Sequence, residues 1–287
     1  MSSDRSAARP LSVVLHVDAG RDWHDAARLL GEFVRAAGGL VTISCALLTR
    51  GAREAAIGKA RELLGLPDAQ VATDARAGIV EFTLPNVARR AKADVVVIGP
   101  RGAADRLTSG LLANLVARRT PASVLVARGR PKSVRKILLC VESERHGTKR
   151  LELAARIAKV FGARLDILHV VDQMGLTDLA RDEIDEDLRD FLHSDAPEAA
   201  TLRALDAHLH AQGIEGAILV RAGLVVDEII EAVRDGGHDL LVIGAHEAHT
   251  QRAGLYEDFG SLILRASPTS TLIVRDPAPD ANLRHSA

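Results

Sequence analysis

The stretch IGPRGAADRLTSG (98–110) holds three glycines, Gly99, Gly102 and Gly110, with Thr108 and Ser109 just before the last. Glycine has no Cβ, so backbone N–H groups near it can approach a phosphate closely, and a helix that starts there adds a favourable dipole. A serine or threonine hydroxyl can donate one more hydrogen bond. Further back in the chain, Asp18 follows the apolar run SVVLHV (12–17). Its carboxylate can accept hydrogen bonds from a base or a ribose. The two features together suit the two ends of a nucleotide. The same spacing also suits a plain strand-to-helix connection, in which Gly99 only eases the turn.

Other chemistry finds less support. His238, His246 and His249 gather near the run LLVI (240–243) beside Glu247, residue types that can ligate zinc. The ordinary reading is polar loop histidines. His208 and His210 point to different sides of any helix, which disfavours a shared metal. His169, in DILHVVD, reads as structural. GAREAAIGKA (51–60) misses the P-loop pattern: Arg53 stands where a glycine is needed and Ala60 where a hydroxyl is needed, and the segment reads as the inside of a helix. There is no G-x-S-x-G elbow, no H-E-x-x-H and no evident acid–base pair, so no enzyme is expected and no catalytic residue is nominated.

The bulk composition bounds the class of protein. Apolar residues make up 47% of the 287 and aromatics only 2%, so the core must be aliphatic. The formal net charge of -1 argues against a nucleic-acid binder. The start, MSSDRSAARP, lacks the apolar centre of a signal peptide, and no apolar run approaches the ~18 residues of a membrane span. Cys45 and Cys140 lie in apolar runs without a CxxC partner and read as buried, reduced thiols. A cytoplasmic location is the expectation.

The elements that must carry these residues are legible as a pattern. SVVLHV (12–17), VVVI (95–98), KILLCV (136–141) and LLVI (240–243) are short, rich in β-branched residues and free of polar alternation, as in strands buried on both faces. Segments with apolar spacing of three and four lie between them, such as DAARLLGEFVRAA (25–37) and TKRLELAARIAKVFG (148–162). The alternation predicts an α/β layered fold. The order then recurs. ADVVVIGPRG (93–102) matches HDLLVIGAHE (238–247), TPASVLVAR (120–128) matches SPTSTLIVR (267–275), and the segments 76–94 and 221–239 both begin RAG. A period of roughly 140–150 residues is a domain and not a solenoid unit.

Each half should therefore hold five strands: near 11–17, 40–47, 69–73, 94–98 and 123–127, then near 135–141, 164–171, 217–221, 239–243 and 270–274. A helix over 111–119 follows the glycine-rich stretch. The expected layout is an N-terminal tail at 1–9, a first domain at 10–128, a linker at 129–134, a second domain at 135–276 and a C-terminal tail at 277–287. The second half carries an acidic, helix-like excursion (175–213) that Pro197 should break. It reads as a solvated face, or else as a surface for an unidentified protein partner.

The whole chain resembles a tandem pair of universal stress protein domains, over roughly 10–128 and 134–276. Nucleotide-binding members carry G-x2-G-x9-G-[ST] at the end of the fourth strand, an Asp ending the first strand and a Pro before the last strand. Asp18 matches the Asp, Gly99 and Gly102 the first two glycines, and Pro121 the proline. The resemblance implies two doubly wound domains of the adenine-nucleotide alpha-hydrolase-like type, with parallel strands in the order 3-2-1-4-5. It implies a stress-response role and an adenine nucleotide such as ATP; a homodimer is left open. Departures qualify the site. Gly110 falls at the third glycine, but only seven residues separate it from Gly102, and Leu111 stands where Ser or Thr is expected, leaving Ser109 or Thr108 as the hydroxyl donor. In the second half Gly244 matches the first glycine, while Glu247, Glu257 and Asp258 stand at the remaining positions and Glu142 replaces the Asp. Carboxylates there would repel a triphosphate. The expectation is a nucleotide held by Asp18, Gly99, Gly102, Ser109 and Gly110, with a degenerate second site. The alternative is an interaction protein that binds no nucleotide in either half.

Overall fold

The apolar runs become the central strands, as their lack of polar alternation requires. A computed structural model describes residues 10–19, 23–99, 106–128, 133–141, 148–172, 191–245 and 259–275. The chain divides into two compact units, Met1–Ser133 and Val134–Ala287.

In the first unit, β1 (Leu11–Val17), β2 (Gly39–Cys45), β3 (Val71–Ala75), β4 (Val95–Ile98) and β5 (Ser123–Val126) alternate with α1 (His24–Ala37), α2 (Arg50–Leu64), α3 (Val80–Arg90) and α4 (Arg106–Arg119). The strands lie in the order β3-β2-β1-β4-β5 and every pairing is parallel. Right-handed crossovers put α1 and α2 on one face and α3 and α4 on the other. The strand order reverses between β1 and β4. Core residues are aliphatic: Val14, Leu15, Ile43, Val96 and Ile98 are fully enclosed. α1 turns Ala27, Leu30, Phe33 and Val34 inward. Its Gly31 is obligatory, because a Cβ there would lie 2.0 Å from the Leu64 carbonyl oxygen at the end of α2.

The second unit repeats the plan with β6 (Lys136–Cys140), β7 (Arg164–Asp172), β8 (Ile218–Gly223), β9 (Leu240–Gly244) and β10 (Ser270–Val274). Its helices are α5 (Thr148–Phe161), α6 (Pro197–Ala211), α7 (Val225–Gly236) and α8 (Phe259–Ala266). The order is β10-β9-β6-β7-β8, all parallel, with the reversal between β9 and β6.

Two boundaries differ from the sequence reading. β3 starts at Val71, later than expected, because Pro67 opens a 3-10 turn over Asp68–Gln70, closed by the Gln70 N–H to the Pro67 carbonyl at 2.9 Å. α4 starts at Arg106 and not at Leu111. The sequence between them has no proline, and an isolated glycine such as Gly110 costs only ~1 kcal/mol inside a helix. Pro197, expected to break the acidic excursion, is the first residue of α6, where its missing N–H costs nothing. GAREAAIGKA lies inside α2.

Candidate functional site

The carboxyl ends of β1 and β4 meet at the reversal of the first sheet, where open α/β sheets receive ligands. His16 of β1 is in register with Ile98 of β4, so Asp18 and Gly99 emerge from adjoining strand ends. Val17 pairs on its other side with Cys45, the last residue of β2. Asp18 is partly exposed. Burial pushes the Cys45 thiol above its ordinary range; the Leu47 backbone and Arg53 work against this, and the Asp18 carboxylate adds to it. Arg53 donates to the carbonyls of Leu47 (2.6 Å) and Leu48 (2.9 Å) and ties the chain beyond β2 to the start of α2. The two cysteines are unbridged and buried, as expected.

One residue central to this corner was missed in the sequence. Trp23 caps the start of α1 and is 3% exposed. Its indole N–H donates to the Asp18 carbonyl at 3.3 Å, and its ring meets His24 edge-on at 4.4 Å. A Cβ on Gly99 would lie 2.8 Å from Trp23 Cβ and 2.9 Å from its Cα. Trp23 thus bridges Asp18 and Gly99, and the glycine gives α1 room to close on the strand ends. The signal was available: it is the chain's one tryptophan, five residues past Asp18.

The other nominated residues are less tightly described. Gly102 lies outside the described residues. Ser109 and Gly110 belong to α4, which begins at Arg106. The amides left without ladder partners are those of a helix's first turn, and Gly110 stands beyond it.

In the second unit the corresponding corner differs in kind. Gly244 ends β9, as Gly99 follows β4. A Cβ on it would meet the Arg150 guanidinium, 2.8 Å from Cζ and from Nη1. Arg150 stands in the first turn of α5, is buried, and donates from Nη1 to the Cys140 carbonyl at 3.2 Å. Glu142, Glu247, Glu257 and Asp258 lie outside the described residues.

Of the three clustered histidines, His238 lies among the described residues. His238 precedes β9 at its amino end, not beside its carboxyl end. Its Nε2 lies 3.1 Å from the Asp166 carboxylate of β7 and its Nδ1 3.1 Å from the Ala232 carbonyl in the last turn of α7, so both ring nitrogens face acceptors. Asp166 also accepts from Arg164 Nε and the Ala217 N–H, each at 2.9 Å. Gly236 is a glycine because a Cβ there would lie 2.1 Å from the His238 ring. His246 and His249 lie outside the described residues. His169 Nδ1 lies 3.2 Å from the Val141 carbonyl and its ring stacks on Phe191, a structural role. Among the described residues no group of three metal-ligating side chains forms, and no helix is long and apolar enough to cross a membrane.

Comparison with known proteins adds family and fold. A search of curated proteins returned no match. A universal stress protein from Archaeoglobus fulgidus is similar over 92% of this chain and 96% of its own, at 15% identity and a TM-score of 0.62. A protein of unknown function from Pseudomonas aeruginosa is similar over 94% of each chain, at 16% identity and a TM-score of 0.65. These likenesses establish the α/β fold along both halves. The model of the universal stress protein family matches residues 133–275, the second half of the chain.

Proposed function

We propose that this is a cytoplasmic stress-response protein, without enzymatic activity, whose first unit binds an adenine nucleotide, ATP in the first instance. The crevice beyond β1 and β4 is the site. Asp18 holds the adenosine end, Gly99 and Gly102 line the phosphate end, and the start of α4, just ahead of Ser109 and Gly110, supplies amides and a positive dipole end. The observation that carries the reading is the emergence of Asp18 and Gly99 from adjoining strand ends at the one reversal of the first sheet. Trp23, in contact with both, makes binding visible. Titration with Mg-ATP should change its fluorescence and give saturable heat in calorimetry, and Asp18→Ala, by losing a charge-assisted contact, and Gly102→Glu, by setting a carboxylate against phosphate, should each weaken binding at least about tenfold. No heat and no fluorescence change at millimolar nucleotide would end the proposal.

A second reading, an interaction module that binds no nucleotide, is favoured by one observation: the side of Gly99 where a Cβ would stand is already covered by Trp23. Leu48 and Ile79, just past β2 and β3, are 80% and 62% exposed and offer apolar contacts for a protein partner. Capture of one defined partner, lost on Leu48→Glu with Ile79→Glu and unaffected by nucleotide, would support it.

A further inference from the structure

The second unit presents the same crevice, but its occupant is part of the chain. β6 and β9 run side by side, Leu139 in register with Val242, and end at Cys140 and Gly244. The strand order of the second sheet reverses between them. Arg150 reaches over both ends. Nη1 donates to the Cys140 carbonyl at 3.2 Å, and the guanidinium lies against the Gly244 Cα, within 2.8 Å of where a Cβ would stand. The side chain is 97% enclosed, since the residue is 3% exposed. Its position in α5 is unusual. The first turn of a helix favours acids, because the dipole's positive end is there. The first turn of α5 instead has no acid and carries Lys149 and Arg150. Both cations donate to carbonyls at strand ends, Lys149 to Arg275 at 2.7 Å and Arg150 to Cys140. In the first unit the equivalent helix lays Trp23 backbone and Cβ on Gly99.

We infer that Arg150 is a built-in ligand of the second crevice, a guanidinium that fills the space beyond β6 and β9 and closes this unit to nucleotide by occupancy. Gly244 is then kept for the guanidinium and not for a phosphate. The inference rests on the reading of the crevice as a nucleotide site, but it concerns the second unit alone.

The test uses the full chain. Arg150→Ala removes the occupant and should lower the midpoint of thermal unfolding by at least about 5 °C, the shift of a one- to two-kcal/mol loss in a unit of this size. Millimolar methylguanidinium should restore part of that shift in the variant and leave the wild-type midpoint unchanged. Arg150→Lys should not replace the arginine, because a point charge cannot span the carbonyl and the glycine face as a planar guanidinium does. If Arg150→Ala yields no folded protein, Arg150→Met keeps the stem, and the same restoration by methylguanidinium is expected. An unchanged midpoint, or an equal response of wild type and variant to methylguanidinium, overturns the inference. Equilibrium dialysis separates it from the first-unit reading. Wild type should bind no more than one Mg-ATP per chain, and the Asp18→Ala, Gly102→Glu double variant none. A site that survives in the double variant and disappears with Arg150→Met would make Arg150 a phosphate contact and overturn the inference. Absence of binding in wild type would remove the first-unit proposal, while the thermal measurements still decide the role of Arg150.

Discussion

At the scale of single residues, the two glycines that follow the fourth strand of each unit do different work from one another. Gly99 admits Trp23, and Gly244 admits the Arg150 guanidinium. The sequence made Gly99 a candidate for phosphate approach and matched Gly244 to it in a degenerate copy, because glycine after a strand reads alike whether ligand, backbone or side chain comes close. What a glycine does not reveal by itself is its neighbour, which lies 76 residues earlier along the chain for Gly99 and 94 residues earlier for Gly244. The Asp18–Gly99 pairing was legible, since both residues end apolar runs. The partners of His238 were not, because Asp166 is on another strand. Gly99→Ala follows directly from the contact. Its Cβ would fall 2.8 Å from Trp23 Cβ, so α1 must shift, at a cost of about 1–3 kcal/mol. Tryptophan emission of the free variant should differ from wild type before any ligand is added. Normal stability with unchanged emission would show that the corner has slack and that Gly99 is not held by packing.

At the scale of elements, periodicity located the strands among the described residues and most of their helices within a few residues, because buried parallel strands and amphipathic helices leave different marks on a sequence. The starts of β3 and α4 were misjudged where short-range chemistry, a Pro-initiated turn and a tolerated glycine, outweighed the pattern. One helix also carries a repair that no pattern reveals. Pro85 lies inside α3 and has no N–H for the Glu81 carbonyl one turn earlier. Arg119, the last residue of α4, donates to that carbonyl from Nη1 at 3.3 Å, and its guanidinium lies over the Phe82 ring at 5.1 Å. Arg119→Ala should therefore cost about 1 kcal/mol in denaturant unfolding. In a Pro85→Ala background the new alanine N–H serves Glu81 itself, and the cost of Arg119→Ala should shrink by half or more. A double-mutant cycle measures this coupling. Equal costs in both backgrounds would mean that Arg119 acts only through Phe82 or not at all.

At the scale of the whole molecule, the repeat signal gave two copies of one plan, and the two units carry it out with the same strand order, each around its own aliphatic core. Chemistry has diverged where architecture has not. One crevice pairs Asp18 with a tryptophan-backed glycine, and the other holds an internal arginine. Ligand linkage turns that difference into a measurement. A ligand that binds only one unit stabilises only that unit, by about 2.7 kcal/mol at a hundred times its dissociation constant. For a unit of this size the midpoint should rise by roughly 5–10 °C. The single tryptophan lies in the first unit, so its emission follows that unit's unfolding alone, whereas calorimetry follows both. With saturating Mg-ATP, the transition reported by Trp23 should move upward and the remaining endotherm should stay where it was. Movement of the second endotherm instead would assign the nucleotide to the crevice that Arg150 fills, and equal movement of both would mean that the two copies still bind alike or unfold as one cooperative body.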